Sequence, residues 1–311
     1  MRIVVTGGAG FIGSHFIEKL INKDFEIVVV DNLITGSLEN IKQYIDSKQI
    51  QFLEQDVQNF IEIDGEIDVV AHLASIASPK AYMMYPVNTL KSGSLGTINS
   101  LGLAKAKEAK YLLASTSEVY GDPLISPQTE DYWGNVNPVG PRSMYDESKR
   151  FAEAAAYTYI NEFGLDIKIA RIFNTYGTKM KINDGRVVTN FIYQALTGED
   201  ITIYGDGTQT RSLSYVSDTV EYLERLIDSD FQGVMNIGNP EEIQIIELAK
   251  KIIEKTDSNS KIKFFDLPQD DPKKRKPDIT LAVKELGYKP LIQLEEGLDI
   301  LIPWVKEKIS K

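Results

Sequence analysis

A glycine-rich turn between a predicted strand and a predicted helix most constrains the fold of this chain. The sequence TGGAGFIG directly follows the apolar run RIVVT at 2–6 and opens FIGSHFIEKLI, whose apolar spacing predicts a helix packed on a sheet. Glycines there let backbone N–H groups approach a pyrophosphate, an anion that the helix dipole also favours. The pattern predicts a dinucleotide site built from Gly7, Gly10, Phe11, Ile12 and Gly13.

Short apolar runs alternate with helical stretches through the first half of the chain. Continuous apolar runs are typical of strands buried on both faces of a parallel sheet. Right-handed crossovers between such strands give a doubly wound α/β sheet, the Rossmann arrangement. Residues 1–172 are therefore predicted to form a dinucleotide-binding domain. Its predicted strands are 2–6, 26–30, 50–54, 67–73, 111–115 and 166–172.

The pattern changes after about residue 172, where Gly- and Asn-rich loops precede short strands and helices, including EIQIIELAKKIIEK near 242–255. We expect residues 173–311 to form a smaller, substrate-binding lobe that is interleaved with the first. Ligands of doubly wound sheets bind at the carboxyl ends of the strands, so the cleft between the lobes is the predicted site.

Composition excludes several classes of protein. The net charge of −11 argues against nucleic-acid binding, and Asp270, Asp271 and Asp278 dilute the basic run KKRK at 273–276. The absence of cysteine excludes disulfides and thiolate metal sites, and no metal is predicted. No apolar run is long enough to span a bilayer, and MRIVVTGG reads as a strand and turn rather than a signal peptide. We expect a cytoplasmic protein without a membrane partner.

Asp31 selects the dinucleotide. It ends the second predicted strand, at the distance from the glycine turn where a carboxylate accepts hydrogen bonds from a ribose diol and repels a 2′-phosphate. NAD is therefore preferred over NADP, and Asn32 follows in the same turn.

Two further strand ends are predicted to line the cofactor. Asp56 and Val57 follow the third strand and are candidates for contact with the adenine, although an Asp at a strand end is also a common helix cap. Leu73 and Ala74 follow the fourth strand, and the neighbouring His72 is predicted to be structural.

Tyr145 and Lys149 are the predicted acid–base pair. They lie four residues apart in YDESK and share one face if the segment is helical. A Lys ammonium beside a phenol favours the phenolate, which lowers the pKa of the Tyr toward working pH. Such a pair takes or gives a proton at a sugar or alcohol hydroxyl, and the dinucleotide site predicts an accompanying hydride transfer.

Taken together, these residues resemble the extended short-chain dehydrogenase/reductase superfamily, whose members modify nucleotide sugars. The resemblance covers nearly the whole chain. Within the superfamily, the chain is similar to the UDP-glucuronate decarboxylase family in HLASIASPKAYMMYP, LLASTSEVYGDP, YWGNVNPVGPRSMYDESKR, ARIFNTYG, DGRVVTNF, YGDGTQTRS and DDPKKRKPDI.

The resemblance implies roles for particular residues. Tyr145 would be the base, and Lys149 would lower its pKa and bind the cofactor ribose. Thr116 or Ser117 would hydrogen bond the sugar 4-hydroxyl, and Glu118 would be a catalytic carboxylate facing the sugar. The implied nucleotide-binding residues, which hold the diphosphate and uridine, are Asn174, Arg186, Val187, Tyr204, Gln209, Arg211 and Arg275. Ser78 and Lys80 are candidates for binding the sugar carboxylate.

The resemblance also implies an activity, the NAD-dependent decarboxylation of UDP-glucuronate to UDP-xylose through a 4-keto intermediate, with NAD regenerated. A UDP-sugar 4-epimerase is the alternative; Glu118 favours the decarboxylase because 4-epimerases commonly lack a carboxylate there. A 4,6-dehydratase is less favoured, since Ser117 stands where typical members have Asp. A non-catalytic NAD-sensing or scaffold protein is the remaining alternative, although such proteins usually lose the Tyr or Lys.

The chain departs from the family pattern at two positions. Gly93 replaces the family's Asn in GSLGT, and Lys179 replaces an Arg in GTKM.

The Ala-rich segment FAEAAAYTYINEFG predicts a long helix that ends at Gly164. Its small residues would let two such helices approach in a homodimer, or would simply pack on the sheet.

Overall fold

The computed structural model describes residues 1–23, 25–182, 184–267 and 274–310, so Asp270, Asp271 and Lys273 of the basic segment lie outside the described residues. The strands are β1 Arg2–Thr6, β2 Glu26–Asp31, β3 Ile50–Glu54, β4 Val69–His72, β5 Lys110–Thr116, β6 Ile167–Ile172, β7 Thr175–Tyr176, β8 Ile201–Tyr204, β9 Thr210–Ser212, β10 Ser214–Tyr215, β11 Gly233–Ile237, β12 Glu242–Gln244 and β13 Ile262–Phe265.

The helices alternate with these strands, as in other doubly wound proteins. They are α1 Phe11–Ile21, α2 Lys42–Asp46, α3 Pro79–Met84, α4 Pro86–Ala106, α5 Ser143–Phe163, α6 Val187–Thr197, α7 Val216–Asp228, α8 Ile245–Lys255, α9 Thr280–Leu286 and α10 Leu294–Ile309. Two short 3₁₀ helices span Leu38–Asn40 and Ser117–Tyr120.

Seven parallel strands form the central sheet in the order β11-β6-β5-β4-β1-β2-β3. The predicted doubly wound fold is therefore confirmed, and the six predicted strands correspond to β1–β6. The strand order reverses beside β1, so the chain leaves β1 toward β2 and later returns across it to β4. A crevice opens at the carboxyl ends of the strands beside such a reversal.

The two halves of the chain interleave. Strand β11, from residues 233–237, pairs with β6 at the edge of the central sheet, beyond the boundary predicted at residue 172. The rest of the second half forms small sheets, β7 with β10, β9 with β12 and β8 with β13. Segment 242–255 is not helical throughout, because its first three residues pair with β9 and α8 begins at Ile245.

Small residues let α4 and α5 pack closely beside the sheet. Gly93 faces Ser148, and a β-carbon built on Gly93 would lie 2.5 Å from the Ser148 β-carbon. Ala152 and Ala156 of α5 are buried, and α5 ends at Gly164, whose φ of +65° favours glycine. None of the helices in the described segments combines the length and apolar character needed to cross a membrane.

Candidate active site

A cavity of about 1810 Å³ lies at the carboxyl ends of the strands, with walls from both halves of the chain. The predicted residues that line it are Gly7, Gly10, Phe11, Ile12, Gly13, Asp31, Asn32, Val57, Leu73, Ala74, Thr116, Ser117, Glu118, Tyr145, Lys149, Asn174, Arg186, Val187, Tyr204, Gln209, Arg211 and Arg275. Ser78 and Lys80 also line it. The topology thus brings together residues that are far apart in sequence.

The glycine turn has no room for side chains. Gly7 adopts a φ of +72°, and a β-carbon there would lie 2.6 Å from the backbone nitrogen of Ala74. A β-carbon on Gly13 would overlap the carbonyl oxygen of Gly7. The turn therefore exposes backbone at the start of α1, the geometry that a pyrophosphate needs.

Asp31 is held rigidly at the end of β2. Its two carboxylate oxygens accept hydrogen bonds from the backbone nitrogens of Ala9, at 3.0 Å, and Leu33, at 2.8 Å. Burial raises the pKa of the carboxyl, and these two hydrogen bonds oppose that shift. The carboxylate still borders the cavity, where it can accept hydrogen bonds from a ribose diol.

Asp56 is the predicted cofactor residue that does not line the cavity. Its carboxylate accepts a hydrogen bond from the Asn32 amide at 2.9 Å and another from the backbone nitrogen of Gln58 at 2.9 Å. The predicted adenine contact of Asp56 stays a prediction. In the structure, Asp56 fixes Asn32, which lines the cavity, and caps the turn that follows β3.

His72 lies buried behind the cofactor wall. Its Nδ1 is 2.8 Å from the hydroxyl of Thr6, and its Nε2 is 3.4 Å from that of Thr97. Burial, with a further contribution from the charge of Lys149, lowers its pKa to about 3. The ring is neutral near pH 7 and joins β1 and β4 to α4, a structural position.

Tyr145 lies on α5 with its ring stacked against Tyr82, at 5.3 Å between centroids. The hydroxyl of Thr116 hydrogen bonds to its phenol. Burial first, and then the charge of Glu118, raises the pKa of Tyr145. The predicted lowering of this pKa by Lys149 stays a prediction. Tyr82 was not among the residues predicted from the sequence, although it lies in the family-like string SPKAY.

Lys149 lies one helical turn beyond Tyr145, as predicted from YDESK. Its ammonium donates a hydrogen bond to the carbonyl of Ala114 at 2.7 Å, within β5. Burial lowers its pKa to about 8, although the charge of Glu153 opposes the shift. The ammonium is therefore charged at neutral pH but loses its proton in mildly basic solution.

Glu118 lies between arginines. Its carboxylate accepts hydrogen bonds from Arg142 at 2.7 Å and, through both of its oxygens, from Arg275. Burial alone would raise its pKa, but Arg275, Arg142 and Arg211 outweigh this effect and hold the pKa at about 2. Arg142 was not among the residues predicted from the sequence, although it lies just before α5 and three residues before Tyr145, a spacing that places both on one face of the helix.

The other predicted nucleotide-binding residues form the opposite wall. Arg186, at the start of α6, pairs with the buried Asp184, and its guanidinium lies 5.5 Å from the ring of Phe11. Gln209 donates a hydrogen bond to the carbonyl of Tyr204, whose ring is half exposed. Arginine and aromatic side chains here can contact phosphate oxygens and a flat base.

Of the two departures from the family pattern, Lys179 forms an ion pair with Glu18 of α1 at 2.8 Å. The backbone carbonyl of the adjacent Thr178 is 2.8 Å from Nε2 of His15, also on α1. The loop that carries Lys179 is thus attached to the first helix of the dinucleotide fold. Gly93 is the other departure, and its lack of a side chain is what lets α4 approach Ser148.

The sheet topology, the glycine turn and the Tyr145–Lys149 pair define the class of the protein. It is a dinucleotide-dependent enzyme of the short-chain dehydrogenase/reductase type, in which a buried phenol and ammonium lie beside the dinucleotide site.

Comparison with known proteins gives the family. The model of the NAD dependent epimerase/dehydratase family matches residues 3–238. The chain belongs to this family. It is 50% identical over 309 residues to UDP-glucuronic acid decarboxylase 1 of Danio rerio, covering 99% of this chain and 73% of that protein. It is 52% identical over 302 residues to UDP-glucuronic acid decarboxylase 6 of Arabidopsis thaliana, covering 97% and 88%.

A solved structure shares the fold over almost the whole chain. It is the UDP-glucuronic acid 4-epimerase of Bacillus cereus in complex with UDP-glucuronic acid and NAD. The TM-score is 0.89 at 28% identity, with 99% of this chain and 100% of the epimerase covered.

Proposed function

We propose that the chain decarboxylates UDP-glucuronate to UDP-xylose through a 4-keto intermediate and regenerates its NAD. The observation that carries the proposal is identity of about half of all positions, over nearly the full chain, to UDP-glucuronic acid decarboxylases. The site agrees with it, because a phenol, two hydroxyl side chains and a carboxylate among arginines line one cavity.

The cofactor is NAD, and the residues fit it. The glycine turn lines the cavity, where its backbone would contact the pyrophosphate, and the Asp31 carboxylate lines the same cavity, where it would bind the adenosine ribose. Asn32, Leu73 and Ala74 would line the same end. When bound there, NAD would supply the acceptor, and later the donor, of the hydride at carbon 4 of the sugar.

Tyr145, Thr116 and Ser117 act at the 4-hydroxyl of the sugar. In its phenolate form, Tyr145 would take the hydroxyl proton while the carbon–hydrogen bond at carbon 4 breaks, which leaves a ketone. The carboxylate of the sugar is then β to that carbonyl. When its carbon–carbon bond breaks, carbon dioxide leaves and the electron pair enters an enolate, which hydrogen bonds from Tyr145 and Ser117 stabilise. A proton from water, added at carbon 5, restores the ketone. Tyr145 then gives its proton to the 4-oxygen as the hydride returns to carbon 4.

The charges around Glu118 suit an anionic substrate. Arg142, Arg211 and Arg275 outnumber the carboxylate that they surround, so the wall keeps a positive surplus. A sugar carboxylate and a diphosphate are the anions that such arginines bind well. With its pKa held near 2, Glu118 stays ionised, so it can order a water at carbon 5 but does not bring a proton of its own.

Mass spectrometry of the products tests the proposal. The NAD-loaded protein is incubated with UDP-glucuronate, and we expect a nucleotide sugar lighter by one carbon dioxide. A product of unchanged mass would contradict decarboxylation.

An unchanged mass would support the second candidate, a UDP-glucuronate 4-epimerase. The observation that favours it is the shared fold with an enzyme of that activity. Such an enzyme forms the same ketone but returns the hydride to the other face. Chromatographic separation of the two 4-epimers then identifies the product.

We also propose a homodimer, formed through the outer α4–α5 face. This face comprises the exposed residues Leu90, Leu95 and Ile98 of α4 and Phe151 and Ala154 of α5. The alanines of α5 divide between two surfaces, since Ala152 and Ala156 pack inward while Ala154 is exposed. A contiguous apolar face of this kind supports association of two copies.

A further inference from the structure

A buried ion pair lies directly behind the catalytic strand, and the proposed chemistry does not use it. Glu153 of α5 and Arg171 of β6 form two hydrogen bonds, from Nη2 to one carboxylate oxygen at 2.7 Å and from Nε to the other at 2.9 Å. Both side chains are largely buried, with 13% and 12% of their surface exposed. A paired arrangement of this geometry holds both groups in a fixed orientation.

Glu153 also contacts the catalytic strand itself. The hydroxyl of Ser115, a buried residue between Ala114 and Thr116, donates a hydrogen bond to the Glu153 carboxylate at 2.5 Å. Tyr145, Lys149 and Glu153 follow one another at intervals of one turn on α5. They contact Thr116, Ala114 and Ser115 respectively, which are three consecutive residues of β5.

The far side of Arg171 is fixed as well. Its Nη1 donates hydrogen bonds to the hydroxyl of Tyr120 at 2.8 Å and to the carbonyl of Glu130 at 2.9 Å. The Tyr120 hydroxyl in turn donates to the side chain of Asn236 on β11 at 2.7 Å. The carboxylate of Glu153 is thus the point at which this network meets the helix of the acid–base pair.

We infer that Glu153 is a positioning residue of the active site, which fixes the end of β5 through Ser115 and keeps the Lys149 ammonium charged. It acts through Lys149 and does not touch substrate. The inference rests on the proposed function for its role in turnover, whereas its effect on Lys149 is a property of the chain alone.

The charges around Lys149 give the sign of the effect. Glu153 is the anion one turn away, and it opposes the loss of the Lys149 proton. His72 of β4 also interacts with Lys149 but is neutral, and Arg171 of β6 is paired with Glu153 itself. Gly93 and Thr97 of α4 carry no charge. Neutralising Glu153 therefore lowers the pKa of Lys149 below about 8.

Nuclear magnetic resonance measures this effect directly. Glu153→Gln keeps the shape of the side chain and removes its charge. Lysine labelled with ¹³C at Cε reports the titration of each ammonium, and the Lys149 signal is assigned by its loss in Lys149→Arg. In ligand-free protein, we expect Glu153→Gln to lower the Lys149 titration midpoint by about one pH unit. An unchanged midpoint would overturn the inference.

Turnover gives the second readout. In Glu153→Gln, the basic limb of the kcat/KM profile should move to lower pH with the Lys149 midpoint, so that activity there falls about tenfold. Glu153→Asp keeps the charge and should keep the limb. It should lose part of kcat, since the shorter chain cannot reach both Ser115 and Arg171. Glu162→Gln, which removes an exposed charge from the same helix, is the matched control and should match wild type.

A further variant tests the positioning role of Glu153 if Glu153→Gln does not accumulate as folded protein. Ser115→Ala removes the contact with the strand but leaves the charge of Glu153 in place. We expect a lower kcat and an unchanged basic limb, and wild-type kcat would overturn the positioning role. A wild-type protein that does not release carbon dioxide from UDP-glucuronate would refute the proposed function. The Lys149 titration in ligand-free protein would still test whether Glu153 acts on Lys149.

Discussion

Tyr145 is the residue on which the proposed chemistry depends most directly. Its phenol lies between Thr116 and the ring of Tyr82 at the cavity wall. Replacing it by Phe keeps the ring and removes the proton acceptor. We expect kcat to fall by about 10²- to 10⁴-fold, the usual contribution of a general base. NAD affinity, measured by calorimetry, should change little.

A second tyrosine on the same helix provides the control. Tyr157 is exposed, so Tyr157→Phe should keep full activity. Full activity in Tyr145→Phe would refute the assignment of the base.

The pKa of Lys149 predicts the pH dependence of the wild-type enzyme. Its pKa in the folded chain is lowered to about 8, so the ammonium is charged below that pH and loses its proton above it. We expect kcat/KM to be level near neutral pH and to fall as pH rises through about 8. A profile that keeps rising well above this pH would show that a charged Lys149 is not required.

The site could be predicted from the sequence where neighbours along the chain decide the geometry. Tyr145 and Lys149 share a helix face because of their spacing, and the glycine turn follows β1 directly. The ion pair between Glu118 and Arg275 joins positions 157 residues apart, and no local pattern encodes it. The upward shift of the Tyr145 pKa is hidden from the sequence for a similar reason, since burial and the approach of Glu118 depend on the whole fold.

At the scale of elements, the contact between α4 and α5 predicts a stability effect. Restoring the family's Asn at position 93 places a side chain where the Ser148 β-carbon is only 2.5 Å from a new β-carbon. We expect Gly93→Asn to lower the free energy of unfolding by about 1–3 kcal/mol, the usual cost of overpacking. Urea unfolding monitored by circular dichroism measures it.

Gly102 of the same helix gives the matched control. A β-carbon there meets no heavy atom within 4 Å. Gly102→Ala should leave stability unchanged or raise it by about 0.5–1 kcal/mol, the helix preference of Ala over Gly. Equal stabilities of Gly93→Ala and Gly102→Ala would contradict the tight contact at Gly93.

Elements differed in how readily the sequence revealed them. Strands β1 to β6 are continuous apolar runs flanked by turn residues, so the apolar character and length of each run were enough to predict a strand. The short strand GVMNI of β11 lies among loops, and its membership of the central sheet depends on pairing with β6. Residues 242–244 continue the apolar pattern of α8 yet pair with β9, because a sheet partner is available there.

At the scale of the whole molecule, the outer α4–α5 face predicts the assembly. A charge at its centre should prevent two copies from burying it, because an unpaired carboxylate is costly to desolvate. We expect light scattering to give a dimer for the wild type and a monomer for Leu95→Glu. Leu291→Glu, at an exposed apolar residue outside α4 and α5, should remain dimeric. A monomeric wild type would refute the proposed dimer.

The cytoplasmic location of the protein stays a prediction from the sequence.

The position of β11 at the edge of the central sheet has a consequence for biosynthesis. Until residue 237 has left the ribosome, β6 remains an open sheet edge with unpaired backbone groups. Helix α7, which packs against α1, is also still missing at that stage. The dinucleotide-binding half therefore cannot complete its folding during synthesis of the first 172 residues. A fragment ending there should need chaperones to remain soluble, rather than behave as an independent domain.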